Sequence, residues 1–421
     1  MDNTNMKQVA ADGSEPTKGK ALGYIVCWLL GNGCLFSWNS LLTVEDYFGY
    51  LFPDYHPARV FTLVYQPFAL ITMVILTIYE ARLNTRARNL SGYGLFCFAV
   101  LLIPILDLAT SGKGGIGVYV GICIFVAMFG VADACSQGGM LGDLSYMHPD
   151  FIQGFSAGLA TSGVLTSVLR LITKGAFEGT QNGLRKGALV FFFISAFFEV
   201  LCFLLYAFIF PKLEIVKYYR SKAASQGSQT VIADLAASGL TNKVPAKDLE
   251  SPVPTRRTTG QLLKENWDYA TVIILTYTLT LSIFPGFLSE DTGKHSLGTW
   301  YAVLLIAMYN CGDLLGRLLP QIKVLMLRSR PGLMAFSLFR YIFIPAFYFA
   351  AKYGTQGWML MLCIILGISN GYITVCVFVN APRGYTGPEQ NALGNVLVTS
   401  LVVGLFAGVV LDWLWLIGKG W

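Results

Sequence analysis

Residues 298–320 read GTWYAVLLIAMYNCGDLLGRLLP. Apolar side chains dominate on either side of Asp313 and Arg317, and the run matches the roughly 20 residues that a membrane-spanning helix needs. Charges at membrane depth are costly and are kept where they face a protein interior or a water-filled cavity. Four residues apart on a helix, Asp313 and Arg317 share a face, and Asn310, three residues before Asp313, joins them. The stretch predicts a spanning helix with a polar seam turned toward other parts of the protein.

The rest of the chain repeats the apolar pattern. Of 421 residues, 54% are hydrophobic and 13% charged, against about 25% charged in soluble proteins, and the mean hydropathy is +0.57. So few charges cannot cover a soluble surface of this size, and the expected fold class is an all-α polytopic membrane protein. Spanning runs are expected at 21–43, 58–79, 90–109, 116–146, 151–173, 187–210, 268–289, 298–320, 333–351, 357–380 and 389–416. The first run lacks a small-residue cleavage pattern and reads as an anchor that is retained. The nine cysteines all fall in apolar runs. They form neither a disulfide framework nor a metal-binding spacing and read as packing residues, so no metal or cofactor is expected. Basic residues interleaved with aromatics in a soluble segment are missing, which argues against nucleic acid as a partner.

One long polar segment, 211–266, splits the spans into six and five. The expected organisation is a tail at 1–20, a six-helix bundle at 21–210, a flexible loop at 211–266 that carries SPVPT and RRTT, and a five-helix bundle at 267–421. Lys and Arg collect in cytoplasmic loops. The side with the N-terminus and the long loop takes nineteen of the 30, the other side eight, and Arg170, Arg317 and Arg340 lie in spans. The N-terminus is therefore expected in the cytoplasm and, with an odd span count, the C-terminus outside. A six-plus-five division suits a carrier whose two halves rock about a midplane site.

Few other polar groups lie at depth. Asp133 and Gln137 share one face of the fourth span, and Trp38 lies toward the outer half of the first. Asp107 and Asp412 fall near outer helix ends, where water is expected to reach them. Glu199 and Arg340 read as structural, and Arg170 with Lys174 as a gate or a snorkelling pair. A neutral carboxylate–guanidinium pair offers acceptors and donors side by side, which suits vicinal hydroxyls. An amide such as Gln137 matches the mixed edge of a heterocycle, and Trp38 offers a flat face for stacking. A base joined to a sugar needs all three contacts. Another polar neutral solute, such as a sugar or a nucleobase, stays open on these grounds. An intramembrane aspartyl protease using Asp133 and Asp313 is disfavoured, because its two acids must share a proton and Arg317 favours an ionised Asp313.

GNGCLFSWNS (31–40), SIFPGFLSE (282–290), YNCGDLLGR (309–317), RYIFIP (340–345) and SNGYITVCVFVNAPR (369–383) stand in this order. Together they resemble the equilibrative nucleoside transporter family over nearly the whole chain, and YHPARVFTLVYQPFAL and LDLATSGKGGIG resemble its plant branch. The resemblance implies eleven spans in a major-facilitator-like arrangement, a cytoplasmic N-terminus, a long loop after the sixth span, and movement of nucleosides across a membrane, here expected to be the plasma membrane, by alternating access. It implies substrate contacts for Trp38, Leu35, Gln137, Asp313 and Arg317, with Asn310 supporting the last two. Gly158 is matched to substrate passage, and Phe284 with Pro285 to an extracellular gate. One chain should suffice for the site. Ser37 stands where many relatives carry Pro. Asp133, one turn before Gln137, stands where animal members often have a small residue and is counted with the substrate contacts; it leaves proton coupling open beside facilitated passage.

Overall fold

The computed structural model describes residues 19–78, 84–144, 147–222, 259–292, 296–385 and 388–417, and among them no strand occurs. Eleven helices are long and apolar enough to cross a membrane. We number them α1 (Lys20–Thr43), α2 (Pro57–Leu76), α3 (Thr85–Ala109), α4 (Ile116–Leu144), α5 (Asp150–Phe177), α6 (Gly183–Lys212), α7 (Trp267–Glu290), α8 (Trp300–Gln321), α9 (Arg330–Tyr353), α10 (Gln356–Asn380) and α11 (Leu393–Leu416). They answer one for one to the expected runs. Helices prevail because lipid offers no partner to a free backbone N–H or C=O. Their starts carry local signals. The Asn84 side chain caps α3, the His148 side chain caps the helix of α5 ahead of Pro149, and Ser329 caps α9 ahead of Pro331.

The regular helices of α7 and α9 are each interrupted. In α7 the regular helix ends at Leu281, and a turn through the cis Phe284–Pro285 peptide leads into a short helix, Gly286–Glu290. In α9 a tight turn at Arg340–Ile342 separates Arg330–Phe339 from Phe343–Tyr353 and sets Arg340 in the interior.

The helix pairings repeat with an offset of six. α1 lies along α5 as α7 lies along α11, and α2 along α4 as α8 along α10. Across the halves, α5 meets α8 and α2 meets α11. This is the two-bundle, six-plus-five arrangement. Its apolar interior includes a central cluster with residues from both halves, among them Trp38, Tyr65, Phe284 and Tyr309. The expected flexible loop is helical at both described ends: 214–222 buries Ile215 and Val216, and Thr259–Glu265 buries Leu262. Apolar residues at those positions seat the segment against the bundles. Most of the expected tail, and the part of the loop holding SPVPT and most of RRTT, lie outside the described residues.

We call the membrane face at which α1 begins the Lys20 face, and the opposite one, where α1 ends and α2 begins, the Arg59 face.

Candidate functional site

α8 and α10 cross with their backbones in contact. A Cβ at Gly312 or Gly316 would meet the carbonyl oxygens of Ile364 and Ile368 at 2.4 and 2.1 Å, and one at Gly367 or Gly371 would meet those of Tyr309 and Asp313 at 2.3 and 2.1 Å. Glycines four apart on both helices permit this approach. Its consequence is chemical, because it lays Asn370 of α10 against Asp313 of α8. Asp313 Oδ1 accepts from Asn370 Nδ2 at 2.7 Å, and Oδ2 accepts from Arg317 Nε at 2.7 Å. The expected Asp313–Arg317 pair is present, with the Arg317 side chain still a quarter exposed. Both carboxylate oxygens accept from amide and guanidinium donors, and among the described residues no hydrogen bond joins Asp313 to a second acid.

The other half presents aromatic and acidic groups. Trp38 stacks on Tyr65 with ring centroids 4.0 Å apart and planes at 26°. The Tyr65 hydroxyl adjoins the Asp133 carboxyl, and Asp133 Oδ1 is buried with no hydrogen-bond partner among the described residues. Leu35 and Gln137 are half-buried, Leu35 one turn before Trp38 and Gln137 one turn beyond Asp133. One face of Trp38 is thus taken by Tyr65, a residue sequence reasoning passed over. Among the described residues, no hydrogen bond or ion pair joins Asp313 or Arg317 to Trp38, Asp133 or Gln137.

Ser37 explains Glu199. Its backbone N–H and hydroxyl both donate to Glu199 Oε1, at 3.1 and 2.5 Å. A proline there would lack the N–H, so the serine and the buried acid form a unit between α1 and α6.

Two expectations need correction, those for Asn310 and for the acids Asp107 and Asp412. Asn310 does not bond to the Asp313–Arg317 pair; its Nδ2 reaches across the halves to Gly163 O (3.1 Å) and Ser167 Oγ (3.0 Å) on α5, because α5 is the neighbour its side of α8 faces. Gly158, matched to substrate passage, sits at a close helix crossing against Trp28 O and Asn32 N of α1. Asp107 and Asp412 are buried, not solvated. Asp107 accepts from Tyr47 and from Arg185 Nε, the latter at 2.7 Å, and Asp412 lies 3.3 Å from Arg59 Nε. Water is excluded from both because short helices and connections fold over these span ends.

A charged network joins the halves at the Arg59 face. Arg59, fully buried, binds Glu290 at 2.8 Å, Asp291 and Asp412. His56 also binds Glu290, at 2.8 Å. Asp46 is held by Arg170 at 2.8 Å and by Lys174 at 2.5 Å, and Lys174 also donates to Thr299 O of the other half. Arg170 and Lys174 are therefore interior ion-pair partners rather than snorkelling ends. Phe284 stacks on Tyr309 at 4.2 Å just inside this network. A cavity of about 440 Å³, lined in part by Lys174, Glu178 and Trp300, opens at the same face and not beside Asp313. The nine cysteines are all free.

The sequence profile described as nucleoside transporter matches residues 123–417. The chain is 58% identical to equilibrative nucleotide transporter 3 of Arabidopsis thaliana, over 96% of this chain and 97% of that one. It is 57% identical to equilibrative nucleotide transporter 5 of the same plant, with the same coverage. Among solved structures it resembles a POT family transporter in complex with 5-aminolevulinic acid (TM-score 0.64, 12% identity, 96% of this chain and 93% of that one) and the xylose transporter XylE from E. coli (TM-score 0.60, 11% identity, 93% and 90%). At such identities the structural likeness establishes the shared fold alone.

Proposed function

The chain belongs to the nucleoside transporter family, and from that premise we propose that it carries nucleosides across a membrane by alternating access, with Asp313 and Arg317 holding the sugar. The observation that supports the site is the fixed, mutually neutralised Asp313–Arg317 pair at the α8–α10 crossing. A carboxylate and a guanidinium side by side match adjacent hydroxyls without demanding a charged solute. Trp38, Leu35 and Gln137 supply the base-facing side, and Phe284 with Pro285 borders the outer gate. The 21–210 and 267–421 bundles act as the moving halves, and the Lys20 face is cytoplasmic, in keeping with the distribution of Lys and Arg. The polar network at the Arg59 face then closes the site to the outside. We place the protein in the plasma membrane.

The relatives' names speak of nucleotides. The neutral pairing at Asp313 favours the uncharged nucleoside, and the further buried guanidinium of Arg340 is already engaged by neutral acceptors. Proteoliposomes holding the purified full chain and fed labelled uridine, with and without a pH gradient, test this reading. Competition by adenosine and uridine, and not by xylose, free uracil or uridine monophosphate, is expected. Competition by the monophosphate or the sugar alone would replace the substrate assignment. Dependence of uptake on the gradient would make the carrier proton-coupled.

A further inference from the structure

Arg340 is fully buried, and among the described residues no carboxylate lies within ion-pair distance of it. Its Nε donates to Ser369 Oγ at 2.9 Å, its Nη1 to Thr276 O at 3.1 Å and its Nη2 to Thr280 Oγ1 at 2.9 Å. A guanidinium held inside a membrane protein by neutral oxygens alone is expensive to keep, so its placement calls for a use. The next links supply one. Thr280 Oγ1, accepting from Arg340, turns its own proton toward Asn370 Oδ1 at 2.9 Å, with Thr276 O as the alternative acceptor at the same distance. Asn370 Nδ2 in turn donates to Asp313 Oδ1 at 2.7 Å.

We propose that Asn370, oriented by Arg340 through Thr280, is a positioning residue for Asp313 and sets how strongly the carrier selects for the sugar hydroxyls of its substrate. The inference rests on the reading of Asp313 and Arg317 as the sugar clamp. An ionised carboxylate only accepts hydrogen bonds, so the amide must present its NH₂ to Asp313 and its oxygen to Thr280. A flipped amide would set oxygen against carboxylate. The Thr280 hydroxyl, itself polarised by Arg340, makes the productive orientation the favoured one. With Oδ1 tied to Asn370 and Oδ2 to Arg317, the carboxylate cannot rotate, and its remaining lone pairs point in fixed directions. A rigid acceptor of this kind discriminates a hydroxyl from a hydrogen more sharply than a mobile one, because a substrate lacking the hydroxyl leaves the buried acceptor unsatisfied. The relay runs from α9 through α7 and α10 to α8, so four of the five helices of this half set the geometry of one carboxylate.

The test compares transport of uridine and 2′,3′-dideoxyuridine by the full chain in proteoliposomes, measuring KM and Vmax for each. Asn370→Ala is expected to raise KM for uridine about tenfold, the scale of one hydrogen bond to a charged group, and to leave KM for the dideoxynucleoside within about twofold. Thr280→Val, which keeps the side-chain shape and removes the hydroxyl, should shift the ratio in the same direction, and Thr280→Ser should rescue it. A purely structural role would instead lower uptake of both substrates together; that result overturns the proposal. So does an unchanged uridine KM in both Asn370→Ala and Thr280→Val while Asp313→Ala still loses discrimination, in which case the sugar clamp stands without the relay. Discrimination that survives Asp313→Ala overturns the clamp itself and the relay with it.

Discussion

Asp313 accepts from Asn370 and Arg317, and Arg317 donates only to Asp313 among the described hydrogen bonds. Removing either member strands the other charge in the site and takes away one side of the sugar clamp. Asp313→Ala and Arg317→Ala should therefore each lower nucleoside uptake by about two orders of magnitude or more, with surface protein retained as judged by biotinylation. Normal uptake by either variant would remove the pair from the site. Asp133 makes a second residue-scale test. Its carboxyl adjoins Tyr65 behind the Trp38 ring, and its Oδ1 has no partner among the described residues. If it carries a proton with the solute, external acidification should raise uptake, a protonophore should collapse the rise, and Asp133→Asn should remove both responses. Uptake indifferent to pH would leave Asp133 a packing and selectivity role. At this scale the sequence was legible within a single helix: a spacing of four places Asp313 with Arg317 and Asp133 with Gln137. Asn370 stood inside the SNGYITVCVFVNAPR motif without a role, and its signal was the pair of glycines, Gly367 and Gly371, on the helix that carries it.

Elements in this protein meet through those glycines. Gly312 and Gly316 interlock with Gly367 and Gly371, and Gly31 and Gly158 bring α1 and α5 together in the same manner. Gly371→Val should be strongly disruptive, because a Cβ would sit 2.1 Å from Asp313 O and push α8 off α10. Overpacking of this kind costs roughly 1–3 kcal/mol or more. The expected outcome is a lower melting temperature in detergent together with lost uptake. Gly357→Ala, at a position on α10 with open space around it, serves as the neutral comparison; equal behaviour of the two variants would contradict the role of the crossing. The helix positions themselves followed from apolar run length, whereas the capped starts after Asn84 and Ser329 lie a few residues ahead of the expected runs at 90 and 333. The interruption of α9 at Arg340 was not legible, since nothing local marks where a helix yields to a buried guanidinium seeking acceptors on α7 and α10.

At the scale of the whole molecule, a charged network at the Arg59 face crosses the halves, and in the proposed cycle it holds that face shut. Arg59→Ala would leave Glu290, Asp291 and Asp412 close together without the guanidinium they share, and like charges so placed repel. In a cysteine-free background, Tyr309→Cys should then react faster with a membrane-impermeant thiol reagent added outside; unchanged labelling would show that the network does not hold this face shut. A pH dependence accompanies it. Glu45, on the short helix Glu45–Leu51 packed against Gly286–Glu290, is buried, and burial with the nearby Glu290 and Asp46 carboxylates pushes its carboxyl well above the usual range. Glu290 is meanwhile held by Arg59 and His56, and Asp46 by Arg170 and Lys174. Burial at this face thus favours the protonated form of Glu45 more than hydration does. Its contribution to closure is complete below the ordinary value, about 4.3, and is lost as pH rises through the raised one. Glu45→Gln should abolish that part of the pH dependence of outside labelling, and persistence of the full dependence would assign it elsewhere.

The amino-acid sequence alone determined the solvent of this protein, the number of its spans, and the shared face of Asp313 and Arg317. Apolar run length and the 3.6-residue turn are local properties that no neighbour can change. Only the tertiary structure decided that Asn370 meets Asp313, that Tyr65 covers Trp38, that Asn310 turns away toward α5, and that Arg59 gathers three carboxylates. Those contacts join residues far apart in the chain, and they depend on which backbones approach closely enough to set one helix in register with another.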